Sequence, residues 1–238
     1  MISIDFWNTI VHSQTGGDIR RQVRIKALQK VARNHTHQLS LEHIDKAKQA
    51  ASKEFNRIWH DQHRTPTTDE LVATILEYLN IHASDDEQQY LVTRFEESLW
   101  EGAPDLSSNV QEIIPMLAER YPLALISDTM YSPGRVIRKF LEKRGLRSYF
   151  QCFIFSDETG YSKPNPRAYR EALQKTSSKA AESWHIGDLV HTDITGAKGV
   201  GMQAILFTNF ADYEDNNHDP MPDHICKNWT EVADTLLG

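Results

Sequence analysis

A change of texture near residue 101 constrains this chain more than any other feature. From Ile19 to Trp100 there is no glycine and a single proline, Pro66, and apolar residues recur every three to four positions. Val23, Ala27 and Val31 form one stripe, and Ile44, Ala47, Ala51, Phe55, Ile58 and Trp59 a second. Leu71, Ile75, Leu76 and Leu79 form a third, and Leu91, Phe95, Leu99 and Trp100 a fourth. That period puts each set on one helix face. Thr67-Thr68-Asp69-Glu70 has the spacing of a capping box ahead of the third stripe. Four helices with no strand between them are expected.

After Glu101-Gly102-Ala103-Pro104 the pattern alternates. Helical stretches at about 107–120, 133–144, 166–175, 192–200 and 229–237 separate short apolar runs at 123–126, 152–155, 184–186, 203–207 and 223–225. Alternation of this kind predicts parallel strands joined by right-handed crossovers. Met1-Ile2-Ser3-Ile4 reads as a buried strand of the same sheet. The fold class is therefore α/β. Residues 1–15 and 102–238 form a doubly wound parallel sheet core, and residues 16–101 are an inserted four-helix domain. Ala211 to Pro222 reads as a surface loop, and Trp59-His60-Asp61-Gln62-His63-Arg64 as a polar loop between two helices.

Composition removes several classes of function. Asp and Glu number 33 against 26 Lys and Arg, a net charge of -7, which opposes nonspecific binding to nucleic-acid phosphates. Two cysteines, Cys152 and Cys226, are too few for a disulfide framework and fit a reducing cytoplasm. No apolar run is long enough to span a bilayer, and the first residues lack the basic stretch of a secretory signal. A soluble cytoplasmic protein with neither nucleic acid nor membrane as partner is expected.

In a doubly wound sheet, ligands bind outside the carboxyl ends of the strands. The residues that follow the expected strands are Asp5, Ser127-Asp128, Ser156-Asp157 and Gly187-Asp188, with Asp193 close behind. Lys163 stands in a Gly160-Tyr-Ser-Lys-Pro-Asn-Pro turn after the third. Several carboxylates, a lysine and a hydroxyl at one sheet edge offer the hard oxygen ligands that suit Mg²⁺. A lysine and a metal neutralise phosphoryl oxygens, while a carboxylate attacks phosphorus to give an aspartyl-phosphate. Acids at such positions also cap helices, an alternative for Asp128 and Asp157.

The order Asp5-Phe-Trp-Asn-Thr9, Leu-Ile-Ser127-Asp-Thr, Lys163-Pro-Asn-Pro and Ile-Gly-Asp188-Leu-Val-His-Thr-Asp193 resembles the haloacid dehalogenase superfamily of hydrolases. Four motifs in order, over nearly the whole chain, make the resemblance specific. It implies a Rossmann-like core with a helical cap inserted between the first and second motifs, where residues 16–101 fall. It implies Asp5 as nucleophile and Mg²⁺ ligand, with the Trp7 main-chain carbonyl, Asp188 and Asp193 completing the metal site or, for Asp193, supporting the lysine. Ser127 and the amides after it, at Asp128 and beyond, would bind the phosphoryl group together with Lys163. Thr9 would order the turn after the nucleophile. The implied partner is a small phosphorylated substrate.

One position breaks the pattern. Phosphatases that this chain resembles carry a second aspartate two residues after the nucleophile, which protonates the leaving oxygen and then activates water. Here that position is Trp7, and the usual glycine after it is Asn8. An indole does neither job, and losing general acid–base help costs roughly 10²–10⁴-fold. His12 and His191 are candidate substitutes. The chain then reads as an atypical phosphatase or as a catalytically weakened phosphate-binding protein. A dehalogenase or phosphonatase-like hydrolase is a further alternative, which for dehalogenation the pair Asp188 and Asp193 opposes. In the inserted helices, seven arginines from Arg20 to Arg94, with several histidines, are available to a substrate, and most are expected to face solvent; Lys46, Lys48 and Lys53 are the lysines open to the Schiff base that the phosphonatase-like reading needs.

Overall fold

The computed structural model describes residues 1–35, 38–210 and 219–238. Most of the loop expected at Ala211 to Pro222, residues 211–218, lies outside the described residues, as does His37. The chain opens with strand β1 (Ile2–Ile4) and then runs through α1 (Gly17–Asn34), α2 (Leu41–Gln62), α3 (Thr68–Tyr78) and α4 (Asp85–Glu101). Then come α5 (Val110–Arg120), β2 (Leu123–Ser127), α6 (Gly134–Lys143), β3 (Phe150–Phe155), the single turn α7 (Ser156–Thr159) and α8 (Pro166–Lys175). Strand β4 (Trp184–Gly187), α9 (Thr195–Gly199), β5 (Gln203–Phe207), β6 (His224–Cys226) and α10 (Trp229–Leu237) complete it.

Local chemistry explains the helix starts. The capping box expected at Thr67 and Glu70 is formed, and Ser84 and Glu87 make a second one for α4. Asn165 caps α8 and Pro166 occupies its first turn, where a missing N–H costs nothing. The helix expected at 192–200 begins differently, with a π-helical turn at Val190–Ile194 ahead of α9. The segment Trp59 to Gln62, expected in a loop, is instead the last turn of α2, so its side chains stand on a rigid helix.

Among the described residues the sheet has six strands in the order β3-β2-β1-β4-β5-β6, every pair parallel. Strand order reverses on either side of β1, which pairs with both β2 and β4. That topological switch opens a crevice at the carboxyl ends of the central strands. Ile4 lies beside Leu125 on one side and Ile186 on the other, so Asp5 emerges between the ends of β2 and β4. The two faces of the sheet carry separate apolar clusters, one around Phe6, Phe140 and Trp229 and one around Tyr169, Ala172 and Met202. Helices α1 to α4 share a third, built on Leu28, Ala47, Ile75 and Phe95, and closed below by Tyr131 of the sheet region.

Two linkers join these helices to the sheet, and their backbones nearly touch. A Cβ on Gly16 would come within 2.5 Å of the Gly102 carbonyl oxygen, and one on Gly102 within 2.4 Å of that of Gly16. Buried Arg20 ties both linkers, donating to the carbonyls of Ser13, Thr15 and Gly102. It is therefore spent on the junction and not on a substrate. Cys152 and Cys226 are both free, and among the described residues no helix is long and apolar enough to cross a membrane.

Candidate active site

Four carboxylates, Asp5, Asp128, Asp188 and Asp193, and one lysine line a single cavity at the sheet edge. Lys163 Nζ donates to Asp5 Oδ1 at 2.6 Å and to Asp193 Oδ1 at 2.7 Å, and all three side chains are buried. Asp5 reaches this point from β1, Asp193 from the π-helical turn after β4, and Lys163 from the loop before α8. Gly187 makes the packing possible, because a Cβ there would lie 2.3 Å from the Asp193 side chain. Asp193, expected beside either the metal or the lysine, sits against the lysine.

Burial alone would strip the proton from Lys163, but the charges of Asp193, Asp5 and Asp128 overcome it and hold the ammonium well above its ordinary range. Asp193 is also buried, yet Lys163 and His185 hold its carboxyl below the usual range. Burial pushes the Asp5 carboxyl up, Lys163 pulls against that push, and Asp193 and Asp188 add to it. Asp188 is raised to about 6 by burial and by the charge of Asp193, while the Asn8 amide, donating to its Oδ2 at 3.2 Å, works the other way.

Asn8 explains part of the departure from the expected first motif. Its φ is 54°, in the left-handed region that glycine occupies freely and asparagine tolerates better than most residues. The substitution keeps the turn and adds an amide facing Asp188. Trp7 packs edge-on against Phe6 at 4.9 Å and lines the cavity, so this position presents it with an apolar wall. The buried Thr9 hydroxyl has no partner among the described residues, whereas its carbonyl accepts from Ser107 Oγ at 2.7 Å and Trp229 Nε1 at 3.1 Å. The backbone of Thr9, not its hydroxyl, anchors the turn.

Ser127 is buried at the end of β2, and its hydroxyl donates a long 3.4 Å bond to the Asp128 carbonyl. Asp128 does not cap a helix: Oδ1 accepts from the Lys163 main-chain N–H at 3.0 Å and Oδ2 from Trp59 Nε1 at 3.0 Å. Burial raises it to about 6 against the pull of Lys163. The Thr129 N–H is committed to Ser156 Oγ at 2.8 Å, which removes it from the amides expected to meet a phosphoryl group. Asp157 takes the capping role, accepting from the Gly134 N–H at the start of α6 at 3.1 Å.

The two histidines expected as candidate acid–base substitutes stand to the sides. His12 packs on Phe210 at 4.2 Å and lines a small adjoining cavity of about 60 Å³ with Asn8 and Asp188. His191 lies against Trp59 at 5.3 Å and His60 at 5.8 Å, and burial lowers its pKa. The cavity that holds Asp5, about 230 Å³, is lined by Asp5, Trp7, Asp128, Lys163 and Asp188 below and by Phe55 and Trp59 of α2 above.

Sequence reasoning missed a polar line behind the lysine. His185 Nε2 lies 2.9 Å from Asp193 Oδ1, and its Nδ1 lies 2.8 Å from Ser3 Oγ. Burial lowers the His185 pKa, and the neutral ring that donates to Asp193 accepts from Ser3. Tyr169 OH donates to the Thr192 carbonyl at 2.9 Å and steadies the same turn. The available signal was a single polar residue inside each of two short apolar strands, since a polar group buried on both sides needs a partner.

The profile of the family described as haloacid dehalogenase-like hydrolase matches residues 21–207, well over half of the chain. This chain belongs to that family. The match begins beyond Asp5, Trp7 and Asn8, the segment where the first motif departs from the usual pattern. Among curated relatives, the glyceraldehyde 3-phosphate phosphatase of Methanothermobacter thermautotrophicus is 31% identical over 123 residues, 51% of this chain and 50% of the relative. The chain thus spans about half the length of the curated relatives it matches. Among solved structures, a 2-haloacid dehalogenase from Pseudomonas syringae superposes with a TM-score of 0.74 at 20% identity, covering 99% of this chain and 97% of that one. A magnesium-bound HAD-hydrolase from Bacillus subtilis gives 0.67 at 19%, covering 99% and 97%. At such identities the superpositions establish the haloacid dehalogenase fold and leave the chemistry to the residues.

Proposed function

We propose that this haloacid dehalogenase-family hydrolase removes the phosphoryl group from a small phosphorylated metabolite, with Asp5 as nucleophile and Mg²⁺ as cofactor. The observation that carries this reading is Lys163 Nζ, 2.6 Å from Asp5 Oδ1 and buried in the cavity floor. An ammonium so placed fixes one oxygen of the nucleophile and meets the oxygens of an incoming phosphoryl group. A carboxylate oxygen of Asp5 forms a bond to phosphorus as the bond to the leaving oxygen breaks. Water then cleaves the aspartyl-phosphate, releasing phosphate and regenerating Asp5.

The donor set fits a hard divalent cation. Asp5, Asp188 and Asp193 with one ammonium leave a surplus of negative charge in a buried site, and Asp188 is pushed to about 6 by that burial and then by the charge of Asp193. Asp5, Asp188 and the Trp7 main-chain carbonyl would hold the ion, with Asp193 bracing Lys163. Among the described residues no three His, Cys, Asp or Glu side chains are gathered as a metal cluster, so the backbone oxygen and water must complete the shell. Mg²⁺ bound there supplies neutralisation of the phosphoryl oxygens. Ser127 and Lys163 would bind the phosphoryl group, with the main-chain N–H of Asp128. Residues 16–101 act as a cap that brings Phe55 and Trp59 over the cavity, above a core of residues 1–15 and 102–238. Two free cysteines fit a cytoplasmic location.

Trp7 shapes the substrate preference. With an indole where an acid would stand, the leaving oxygen departs best when it needs no proton, so acyl and aryl phosphates are favoured over alkyl esters. The test is Mg²⁺-dependent phosphate release from acetyl phosphate, p-nitrophenyl phosphate and sugar phosphates, beside Asp5→Asn. Turnover of the first two, lost in the variant by at least 10³-fold, is expected on the scale of removing a nucleophile. Absence of turnover with retained phosphate binding would establish the rival favoured by Trp7, a phosphate-binding protein that has lost catalysis.

A further inference from the structure

The cavity that holds Asp5 is charged on its floor and apolar above it. Phe55 and Trp59 stand four residues apart on one face of α2, with ring centroids 6.1 Å apart and planes inclined at 36°. Met130, beyond the end of β2, and Leu189, beyond the end of β4, line the same space, and Trp7 closes it from the end of β1. All five side chains are half-buried. The surface they turn to the cavity is apolar area that the fold itself leaves uncovered, and a ligand that covers it gains what burial of such area gives.

The polar side chains of the same lining are already engaged. Trp59 Nε1 donates to Asp128 Oδ2 at 3.0 Å, and the Asn8 amide donates to Asp188 and accepts from the Ser13 N–H at 3.2 Å. The Thr129 hydroxyl lies 3.1 Å from Ser156 Oγ and donates to Asp157 at 3.0 Å, and that of Thr192 donates to Asp193 at 3.3 Å. A sugar's hydroxyls entering this space would give up water for groups that have other partners, and a buried hydroxyl left unpaired costs its desolvation. A second anionic group fares worse. Lys163 is the one cation among the described lining residues, and it is held between Asp5 and Asp193. A distal carboxylate or phosphate would be buried beside carboxylates with no countercharge.

Size and shape narrow the occupant further. The cavity measures about 230 Å³, and a cavity of about 150 Å³ takes a benzene ring. A single ring therefore fits above a phosphoryl group on the floor. Three of the five apolar walls are aromatic, and rings pack on one another edge-to-face or offset with centroids about 4.5–7 Å apart.

We propose that Trp7, Phe55 and Trp59, with Met130 and Leu189, form a ring subsite, so that the substrate is the phosphate monoester of a small, flat, uncharged aryl group. The proposal rests on the phosphatase reading of Asp5 and adds the chemistry of the leaving group. As the Asp5 oxygen bonds to phosphorus, the bond from phosphorus to the aryl oxygen breaks, its electron pair leaves on a phenolate, and solvent supplies the proton afterwards. The indole of Trp7 thus serves twice, as a wall for the ring and at a position where this leaving group needs no acid.

The test is isothermal titration calorimetry in saturating Mg²⁺ with benzylphosphonate, the hydrolysis-resistant isostere of phenyl phosphate. It is compared with ethylphosphonate, 3,4-dihydroxybutylphosphonate and 3-phosphonopropionate, which carry no ring, two hydroxyls and a second anion. Benzylphosphonate is expected to bind roughly 10- to 100-fold tighter than ethylphosphonate, the scale of burying a phenyl ring, and tighter than the other two. Phe55→Leu and Trp59→Leu should each lower that ratio roughly 3- to 10-fold, the scale of one ring contact. A general loosening of the site would weaken both ligands alike and leave the ratio unmoved. Equal binding of the benzyl and ethyl compounds, tighter binding of either polar compound, a ratio unmoved in both variants, or no binding by any of the four overturns the subsite. If the variants do not fold, by far-UV circular dichroism, the ranking in the wild type decides alone. The phosphatase reading is tested apart, by Mg²⁺-dependent phosphate release from phenyl phosphate and its loss in Asp5→Asn. Release without a ring preference upholds Asp5 and overturns the subsite, and a ring preference without release upholds the subsite in a protein that binds and does not hydrolyse.

Discussion

The ion pairs of α2 and those at the carboxyl end of β1 each join a carboxylate to a cation at the same short distance, and they differ in burial and in separation along the chain. Glu54 and Arg57 meet at 2.6 Å with side chains 35% and 53% exposed, three residues apart on one helix. Lys163 and Asp5 meet at the same distance with side chains 4% and 6% exposed, from segments 158 residues apart. Water screens the first pair and holds either partner when it is alone, so it contributes little. The second pair has surrendered its hydration, and neither partner is tolerable without the other. Charges on the helical region decorate a fold that its apolar stripes already determine. Charges at the sheet edge are arranged for work, against a desolvation cost that the packing around them sustains.

Removing the shared cation tests that contrast most severely. Lys163→Met leaves Asp5 and Asp193 buried with no ammonium, and it is expected to destabilise the protein by about 3–5 kcal/mol as well as abolish turnover. Urea unfolding followed by circular dichroism measures the loss, and a change below about 1 kcal/mol would put the pair in the class of surface bridges.

Smaller, and dependent on pH, is the effect of the divalent ion. Asp128 and Asp188, both raised to about 6, bind protons more tightly folded than unfolded. Their contribution to the stability of the metal-free protein therefore falls as pH rises from about 4 to about 6, and the penalty is complete above that. Mg²⁺ held as proposed would relieve it at Asp188 only where the carboxylate is ionised. Thermal unfolding with and without saturating Mg²⁺ should show a stabilisation of about 3 kcal/mol at pH 7.5 when the ion is near 100 times its Kd, and much less at pH 5. Equal shifts at the two pH values would remove the carboxylates from the metal site.

The smallest expected effect is at the surface. Glu54→Gln should change stability by less than about 0.5 kcal/mol in the same urea experiment. A loss of 2 kcal/mol or more would erase the distinction between the two regions.

Much of this architecture is legible in the residues alone. Strand β5 and helix α8 fall where apolar runs and turn residues put them, and the capping box at Thr67 is formed. Trp59 reads as loop because the histidines, Asp61 and Gln62 around it are loop-like in composition, while the helix continues beneath them to Gln62. His185 escapes a reading by pattern because it is polar within a strand and its partners, Ser3 and Asp193, come from elsewhere in the chain.

The sequence by itself determined the alternation of helix and strand, the parallel sheet, and the set of polar residues that the strand ends would carry forward. These follow from periodicity and turn chemistry, which act over a few residues. Only the tertiary structure decided that Asp193 faces Lys163, that Asp128 is tied to the indole of Trp59, and that Phe55 and Trp59 roof the cavity that holds Asp5. Each of those outcomes depends on which side chains approach across distant segments once water is excluded. That is settled by packing and desolvation, and no local pattern encodes it.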